Sequence, residues 1–200
     1  MRLFGVSFGE SNTKLGNVFT FSLPSRITCP GASSWCRKHC YAKRYERLRP
    51  TCRKAYRDNY DLAKITERFV RIMTGVLPRI LPCMRIHTSG DFFSADYINA
   101  WKEICSEFPQ VRFWTYTRSW SVPDLLPSLE ELRSLDNVSL FASTDPTMKL
   151  PPKDWRTAFI ACDPRAEGIA CRTQNSEESS CLDCGYCFGD TGGNVVFKVH

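Results

Sequence analysis

The stretch from Cys83 to Thr117, CMRIHTSGDFFSADYINAWKEICSEFPQVRFWTYT, alternates between two kinds of periodicity. Cys83–Thr88 and Val111–Thr117 are rich in strand-forming residues, whereas Ala95–Glu107 carries apolar residues at helical spacing. A strand, a helix and a strand in such close succession form the unit that joins two parallel strands. This stretch therefore predicts an α/β fold built on a parallel sheet.

The same alternation continues on both sides of this stretch. Further strands are predicted at Gly16–Leu23, Val138–Ser143, Thr157–Ala161 and Asn194–Val199, and helices at Pro123–Leu135 and, as one short and one long helix separated by Pro50, across 41–77. This arrangement indicates a parallel α/β sheet or a partial (β/α) barrel of about six parallel strands. In such folds, functional residues lie in loops at the carboxyl ends of the strands.

The composition is that of one globular unit. With 200 residues, 42% of them hydrophobic, the chain is long enough to bury a core without disulfides. Residues 1–161 are predicted to form the partial barrel, and residues 162–200 a cysteine-rich extension of the same compact unit. We find no apolar stretch long enough to cross a membrane and no secretory signal, so we expect no membrane partner and a cytoplasmic location.

Eleven cysteines are unusual in a chain expected to lie in a reducing compartment. Cys29, Cys36 and Cys40 follow the first predicted strand as C-x6-C-x3-C. Three thiolates leave one iron of a [4Fe-4S] cluster open, whereas structural zinc requires four ligands, of which His39 is a poorly placed candidate. The pattern favours a first [4Fe-4S] cluster over zinc or unligated thiols.

A second group of cysteines lies near the C-terminus. Cys181, Cys184 and Cys187 form a C-x2-C-x2-C run, and Cys171 supplies a fourth thiol. Successive x2 spacing is typical of ferredoxin-type loops, so we expect a second, four-cysteine [4Fe-4S] cluster, with zinc as the alternative. Cys162 is either a substitute ligand or a buried thiol.

Polar residues follow the predicted strands, and two interpretations remain open for them. They bind a ligand, or Asp91 and Asp145 merely cap the following helices. Arg118 either binds a carboxylate or pairs with a surface acid. The residues concerned are Ser89, Gly90, Asp91, Arg118, Ser143, Thr144 and Asp145.

Four motifs, CPGASSWCRKHCYA, RIHTSGDFFSADYINAW, FWTYTRSW and FASTD, resemble the phage and bacterial family called gene product eighty-eight, which is similar to the radical S-adenosylmethionine (SAM) enzymes. The resemblance spans about residues 16–188. It departs from the usual superfamily loop, which is C-x3-C-x2-C with an aromatic residue before the last cysteine. Here Tyr41 follows the last cysteine instead.

The resemblance implies an enzyme that cleaves SAM reductively to start radical chemistry on an unidentified substrate, with an external electron donor of ferredoxin or flavodoxin type. It implies that Ser89–Gly90–Asp91 hold the amino group of the methionine part and Arg118 its carboxylate. The remaining residues expected to contact SAM are Tyr41, Thr115, Thr117, Ser143 and Thr144.

The segment 37–57 holds nine basic residues and one acidic residue, a net charge of +8 in a chain of net charge +6. Tyrosines lie among these charges, so the segment predicts an anionic substrate or nucleic acid as partner, or else a solvated helix face. Two further functional hypotheses are therefore alternatives to the enzyme hypothesis. They are an iron–sulfur electron-transfer or redox-sensing protein without SAM, and a zinc-bearing nucleic-acid-binding module.

Overall fold

The computed structural model describes residues 1–9, 14–77, 81–176, 178, 180–189 and 192–199. In chain order the strands are β1 (Arg2–Leu3), β2 (Val6–Gly9), β3 (Phe19–Phe21), β4 (Cys83–Ile86), β5 (Arg112–Thr117), β6 (Val138–Ser143), β7 (Arg156–Ile160), β8 (Ile169–Ala170) and β9 (Val195–Phe197). They form one sheet in the order β1-β2-β3-β4-β5-β6-β7-β9-β8.

The sheet is mostly parallel. Every pair from β3 to β8 in this order is parallel, whereas β1 pairs with β2, and β2 with β3, in antiparallel orientation. The prediction of an α/β fold with a mostly parallel sheet is confirmed. The predicted number of strands was too low, because β1 and β8, with two residues each, are too short to show periodicity and β2 was missed together with its hairpin turn. The described sheet ends at β1 and β8, which do not pair with each other.

The helices connect these strands. They are α1 (Ser34–Lys38), α2 (Tyr41–Leu48), α3 (Pro50–Ala63), α4 (Thr66–Val76), α5 (Ala95–Glu107), α6 (Leu126–Arg133) and α7 (Cys181–Cys184), with 3-10 turns at Ser119–Ser121 and Pro123–Leu125. The expectation of one long helix after Pro50 was wrong, because the chain turns at Lys64 and Ile65 between α3 and α4. Among the described residues, none of the helices is long and apolar enough to span a membrane.

Alternate residues of the central strands pack against the helices. Ile86, Phe113 and Leu140 belong to the main core, together with Phe69 of α4 and Trp101 of α5, whose ring centres lie 5.5 Å apart. Side chains two residues apart on a strand share a face. One face of the sheet is therefore covered by helices.

The cysteine-rich C-terminal segment covers the opposite face. Trp114 of β5 packs against Phe188 with ring centres 5.0 Å apart, and Tyr116 lies 5.3 Å from the Phe197 ring of β9. Cys187 packs beside both groups of side chains. Thus the C-terminal extension supplies a strand to the sheet and a layer over its second face.

Candidate functional site

The loop after β3 is compact around its cysteines. Ser33 caps α1, since its hydroxyl oxygen accepts a hydrogen bond from the Cys36 backbone N–H at 2.9 Å. Cys40 is the N-cap residue of α2. The rings of Trp35 and His39 stack with centres 4.2 Å apart, and Nδ1 of His39 lies 2.9 Å from the Trp35 carbonyl oxygen. His39 is thereby engaged within the loop.

Gly31 places this loop directly on the end of β5. A Cβ atom at Gly31 would lie 2.0 Å from the carbonyl oxygen of Arg118. Only glycine permits so close an approach of two backbone segments. The loop that carries Cys29 and Cys36 therefore rests on the carboxyl end of the parallel sheet.

A buried ion pair lies beneath the loop. Nη1 of Arg118 donates to Oδ2 of Asp145 at 2.5 Å, and these side chains are 10% and 0% exposed. Ser33 Oγ donates to the same oxygen at 2.6 Å, and Thr147 donates to Oδ1 through its backbone N–H and its hydroxyl. Burial alone raises the pKa of Asp145, but these donors and the charge of Arg118 outweigh it and hold the pKa below its usual range. Arg118 thus pairs with a buried acid rather than a surface one.

Asp91 ties the loop after β4 to the end of β5. Its Oδ1 accepts hydrogen bonds from the Phe92 backbone N–H at 2.8 Å and the Thr117 hydroxyl at 2.6 Å, and its Oδ2 accepts one from the Arg118 backbone N–H at 2.8 Å. Burial raises the pKa of Asp91 despite these donors. The capping interpretation was wrong for Asp91, because Ser94 caps α5. It was wrong for Asp145 as well, because the chain passes from β6 to β7 without a helix.

Three thiols converge above this network. Burial, together with the charges of Asp91, Cys36 and Cys40, raises the pKa of Cys29 to about 12. The pKa of Cys36 is also raised by burial, with the charge of Arg118 opposing that effect. Thiols with raised pKa values are protonated at neutral pH. Any cation that binds them must therefore displace protons, and its affinity must rise with pH.

Several other predicted residues border the loop. Ser89 Oγ donates to Oε1 of Glu46 in α2 at 3.1 Å, and Gly90 adopts the left-handed region at φ 80°. The hydroxyl of Tyr41 donates to the carbonyl oxygen of Thr88. These contacts fix the start of α2 against the turn that follows β4.

The threonines and the serine expected to contact SAM differ in their surroundings. Thr117 joins the Asp91 network, and the carbonyl oxygen of Ser143 accepts a hydrogen bond from Trp120 Nε1 at 2.9 Å. Thr115 lies on the same face of β5 two residues before Thr117, fully buried and further from the carboxyl end of the strand. Within the described ranges, the buried hydroxyls of Thr115 and Thr144 have no hydrogen-bond partner.

A pocket on the opposite face of the sheet brings the second group of cysteines together. Arg85 of β4 and Tyr116 of β5 line this pocket, with the Arg85 guanidinium carbon 5.0 Å from the centre of the tyrosine ring. Arg85 Nε is buried and has no partner in the part of the chain that the structure describes. A buried cationic donor of this kind fits an anionic group held by thiolates. The cysteines that line the pocket are Cys171, Cys181, Cys184 and Cys187.

Local turns produce this convergence. Ser180 caps α7, and Gly185 ends it at φ 66°, so the chain reverses and returns Cys187 toward Cys181. Burial raises the pKa of Cys187 to about 11 and also raises that of Cys181, while the charge of Arg85 lowers both. Cys162 is exposed and does not line the pocket, so Cys171 is the fourth thiol that the fold supplies.

Among the described residues, no group of three or more His, Cys, Asp or Glu side chains is arranged to hold a metal ion. A single metal ion requires its ligands to lie close together around one centre. Tetrahedral zinc, with Zn–S distances of about 2.3 Å, holds its sulfur atoms about 3.8 Å apart. A four-iron cluster is larger and separates its thiolates further. The soft thiolate donors of both groups suit iron–sulfur clusters and zinc alike by ligand type.

The sequence patterns did not indicate two further side chains near the candidate site. Arg85 is the one charged residue within the buried strand CMRI. A buried charge is costly without a partner, so its presence indicates a partner on the sheet face that Arg85 occupies. Arg165 donates to the carbonyl oxygens of Asp145 and Met148, both at 2.8 Å, and so supports the loop after β6. The sequence pattern does not indicate these contacts of Arg165, because they form only in the tertiary fold.

Comparison with known proteins identifies relatives along most of the chain. The family model described as Gene product 88 matches residues 6–187. The chain is 32% identical to the Gene 88 protein of Mycobacterium phage L5, with 94% of this chain and 90% of that protein aligned. It is 31% identical to the Gene 88 protein of Mycobacterium phage D29, with 68% of this chain and 60% of that protein aligned. No solved structure matches. The extent of these matches places the chain in the Gene product 88 family.

Proposed function

We propose that the protein is a radical-SAM-like enzyme with two [4Fe-4S] clusters. Cys29, Cys36 and Cys40 would hold the first cluster with one iron open to SAM, and the four pocket cysteines would hold the second. The observation that carries this proposal is the convergence of three thiols on the carboxyl end of a parallel sheet, directly above the Arg118–Asp145 ion pair. When bound, the first cluster would supply one electron and SAM a cleavable C–S bond. An external ferredoxin- or flavodoxin-type donor would be the electron source.

The strand order supports a partial (β/α) barrel in this proposal. Strands β3 to β7 are neighbours in chain order, without the central reversal that defines a doubly wound sheet, and β9 then lies between β7 and β8. Barrel enzymes place their ligands at the carboxyl ends of such strands. The loop from Cys29 to Cys40 occupies that position.

The chain's own groups suit the amino-acid end of SAM. Within the described residues, the side chain of Arg118 donates only through Nη1, to Asp145 and to Met148, so Nε and Nη2 are available to a carboxylate. The Asp91 carboxylate would offer its negative charge to an ammonium group, while its oxygens already accept three hydrogen bonds from the chain. In this proposal Asp145 positions the guanidinium, and Asp91 positions Thr117 and the end of β5.

One observation favours a second candidate, an iron–sulfur electron carrier or redox sensor that does not use SAM. The two charged side chains expected to bind the methionine part already have internal partners, since Arg118 pairs with Asp145 and Asp91 is hydrogen-bonded on both oxygens. A site whose charges are satisfied internally needs no charged ligand.

Anaerobic reconstitution with iron and sulfide separates these candidates. The enzyme proposal predicts about eight iron atoms per chain and an electron paramagnetic resonance signal of the dithionite-reduced protein that changes when SAM is added. The same iron content with a signal indifferent to SAM would favour the electron carrier. Bound zinc without iron would overturn both proposals.

A further inference from the structure

Helices α2 and α3 leave a surface of uncompensated positive charge. Their acidic side chains are already engaged elsewhere. Glu46 accepts a hydrogen bond from the Ser25 backbone N–H at 2.8 Å and one from Ser89. Asp58 pairs with Arg2 at 3.1 Å and with Lys54 at 2.8 Å, and Asp61 pairs with Lys64. The acids of this region therefore pair with other groups, and Arg57 alone among the remaining cations acts on one of them, Asp61.

The remaining cations are exposed and make no ion pair within the described part of the chain. On helices α5 and α6, by contrast, Lys102 pairs with Glu131 and Arg133 pairs with Asp154. We call the following residues, together with Tyr45 and Leu48, the α2–α3 basic surface: Lys43, Arg44, Arg47, Arg49, Arg53 and Arg57.

Exposed apolar groups lie within this surface. The Tyr45 side chain is 40% exposed and Leu48 is 63% exposed. The guanidinium carbon of Arg49 lies 4.5 Å from the centre of the Tyr45 ring, which holds that ring at the surface. An exposed aromatic ring among cations is the arrangement on which bases of single strands stack.

We propose that the α2–α3 basic surface binds single-stranded nucleic acid. Six unpaired cations complement a chain of phosphates, and Tyr45 with Arg49 provides a stacking platform for a base. An acidic protein would complement the charge, but the stacked tyrosine and arginine favour a strand with planar bases. This binding goes beyond the proposed enzymatic function and requires neither cluster nor SAM. Because α2 begins directly after Cys40, a bound strand would pass the cysteine loop.

The test is fluorescence anisotropy of the full chain with a fluorescein-labelled 20-mer of dT, over a series of salt concentrations. The wild type should bind the single strand more tightly than a 20-base-pair duplex. The Arg44→Glu/Arg47→Glu double variant should bind about tenfold or more weakly, with the slope of log K against log salt reduced by about 1.4. Tyr45→Ala should weaken single-strand binding roughly tenfold.

The matched control is Lys149→Glu/Lys153→Glu, which makes the same change in net charge at exposed lysines outside the surface. It should retain wild-type affinity, and circular dichroism should show that each variant is folded. Equal weakening in both double variants would overturn the proposal, since net charge alone would then explain binding. Equal affinity for duplex and single strand, or binding of an acidic ferredoxin in place of the oligonucleotide, would also overturn it.

Discussion

Arg118 and Asp145 form a buried ion pair, with Nη1 and Oδ2 2.5 Å apart, between the carboxyl ends of two neighbouring strands. Ser33 of the cysteine loop donates to the same carboxylate oxygen. One carboxylate therefore joins two strand ends and the loop that carries the first three thiols. The geometry of the proposed SAM site depends on this junction.

Asp145→Ala should destabilise the fold strongly, because it leaves the Arg118 charge buried without its partner. A loss of about 3–5 kcal/mol in the free energy of unfolding is expected for a broken buried pair. Asp154→Ala is the control, since Asp154 pairs with Arg133 but is 65% exposed, and should cost less than about 1 kcal/mol. Urea denaturation measures both. Similar losses in the two variants would show that the buried junction has no special role.

Gly31→Ala should displace the cysteine loop, because the added Cβ would collide with the backbone oxygen of Arg118. We expect reduced stability and reduced iron incorporation. Gly75→Ala in α4 is the matched control, since a Cβ there meets nothing within 4 Å and should stabilise the helix by about 0.5–1 kcal/mol. Equal, small effects of the two substitutions on melting temperature would contradict the close contact.

His87 should make the protein less stable as the pH falls from about 6.5 towards 3. Burial, followed by the charge of Arg85, lowers the folded-state pKa of His87 to about 3, while histidine in an unfolded chain titrates near 6.5. Between these values the unfolded chain binds a proton that the folded chain does not. The free energy of unfolding should therefore fall by about 1.4 kcal/mol per pH unit.

His87→Asn removes the titrating group and suits the left-handed backbone at φ 64°. Denaturation of this variant at pH 7, 6 and 5 should show a flatter dependence than the wild type. A slope unchanged from the wild type would assign the acid sensitivity to other groups.

Arg85→Met should lower the reduction potential of the second proposed cluster, because it removes a cation from the pocket of four cysteines. A shift of about 59 mV corresponds to a tenfold change in the one-electron equilibrium constant. Potentiometric titration followed by electron paramagnetic resonance measures it. Lys102 lies on α5, on the helix-covered side of the sheet, so Lys102→Met should leave the potential unchanged. An unchanged potential in Arg85→Met would show that the charge of Arg85 does not act on that cluster.

The strongest sequence patterns predicted their elements with the observed bounds. Ala95–Glu107 and Val138–Ser143 are each long enough for periodicity to determine type and extent. The β1–β2 hairpin was missed because Phe4, rather than the usual Asn or Asp, precedes Gly5 in a turn where both residues have positive φ. The turn between α3 and α4 was missed because neither glycine nor proline marks it.

For the candidate site, the sequence predicted two groups of cysteines and placed the first after a strand, but it did not predict where the second group lies relative to the sheet. The loop of Cys29 lies at a strand end, whereas Cys181 and its neighbours cover a sheet face around Arg85. Only the tertiary fold decides this. The internal partners of Arg118 and Asp91 were likewise unpredictable, because they come from residues distant in the chain.

The most direct test of the central claim is the electron paramagnetic resonance spectrum of anaerobically reconstituted, reduced Cys184→Ala protein, recorded with and without SAM. This variant disrupts the pocket of four cysteines and keeps the loop of three. We predict about half the wild-type iron and a spectrum that shifts with SAM, whereas Cys36→Ala should also keep about half the iron but show no response. A Cys184→Ala spectrum that is identical with and without SAM would contradict a SAM-binding cluster at Cys29, Cys36 and Cys40.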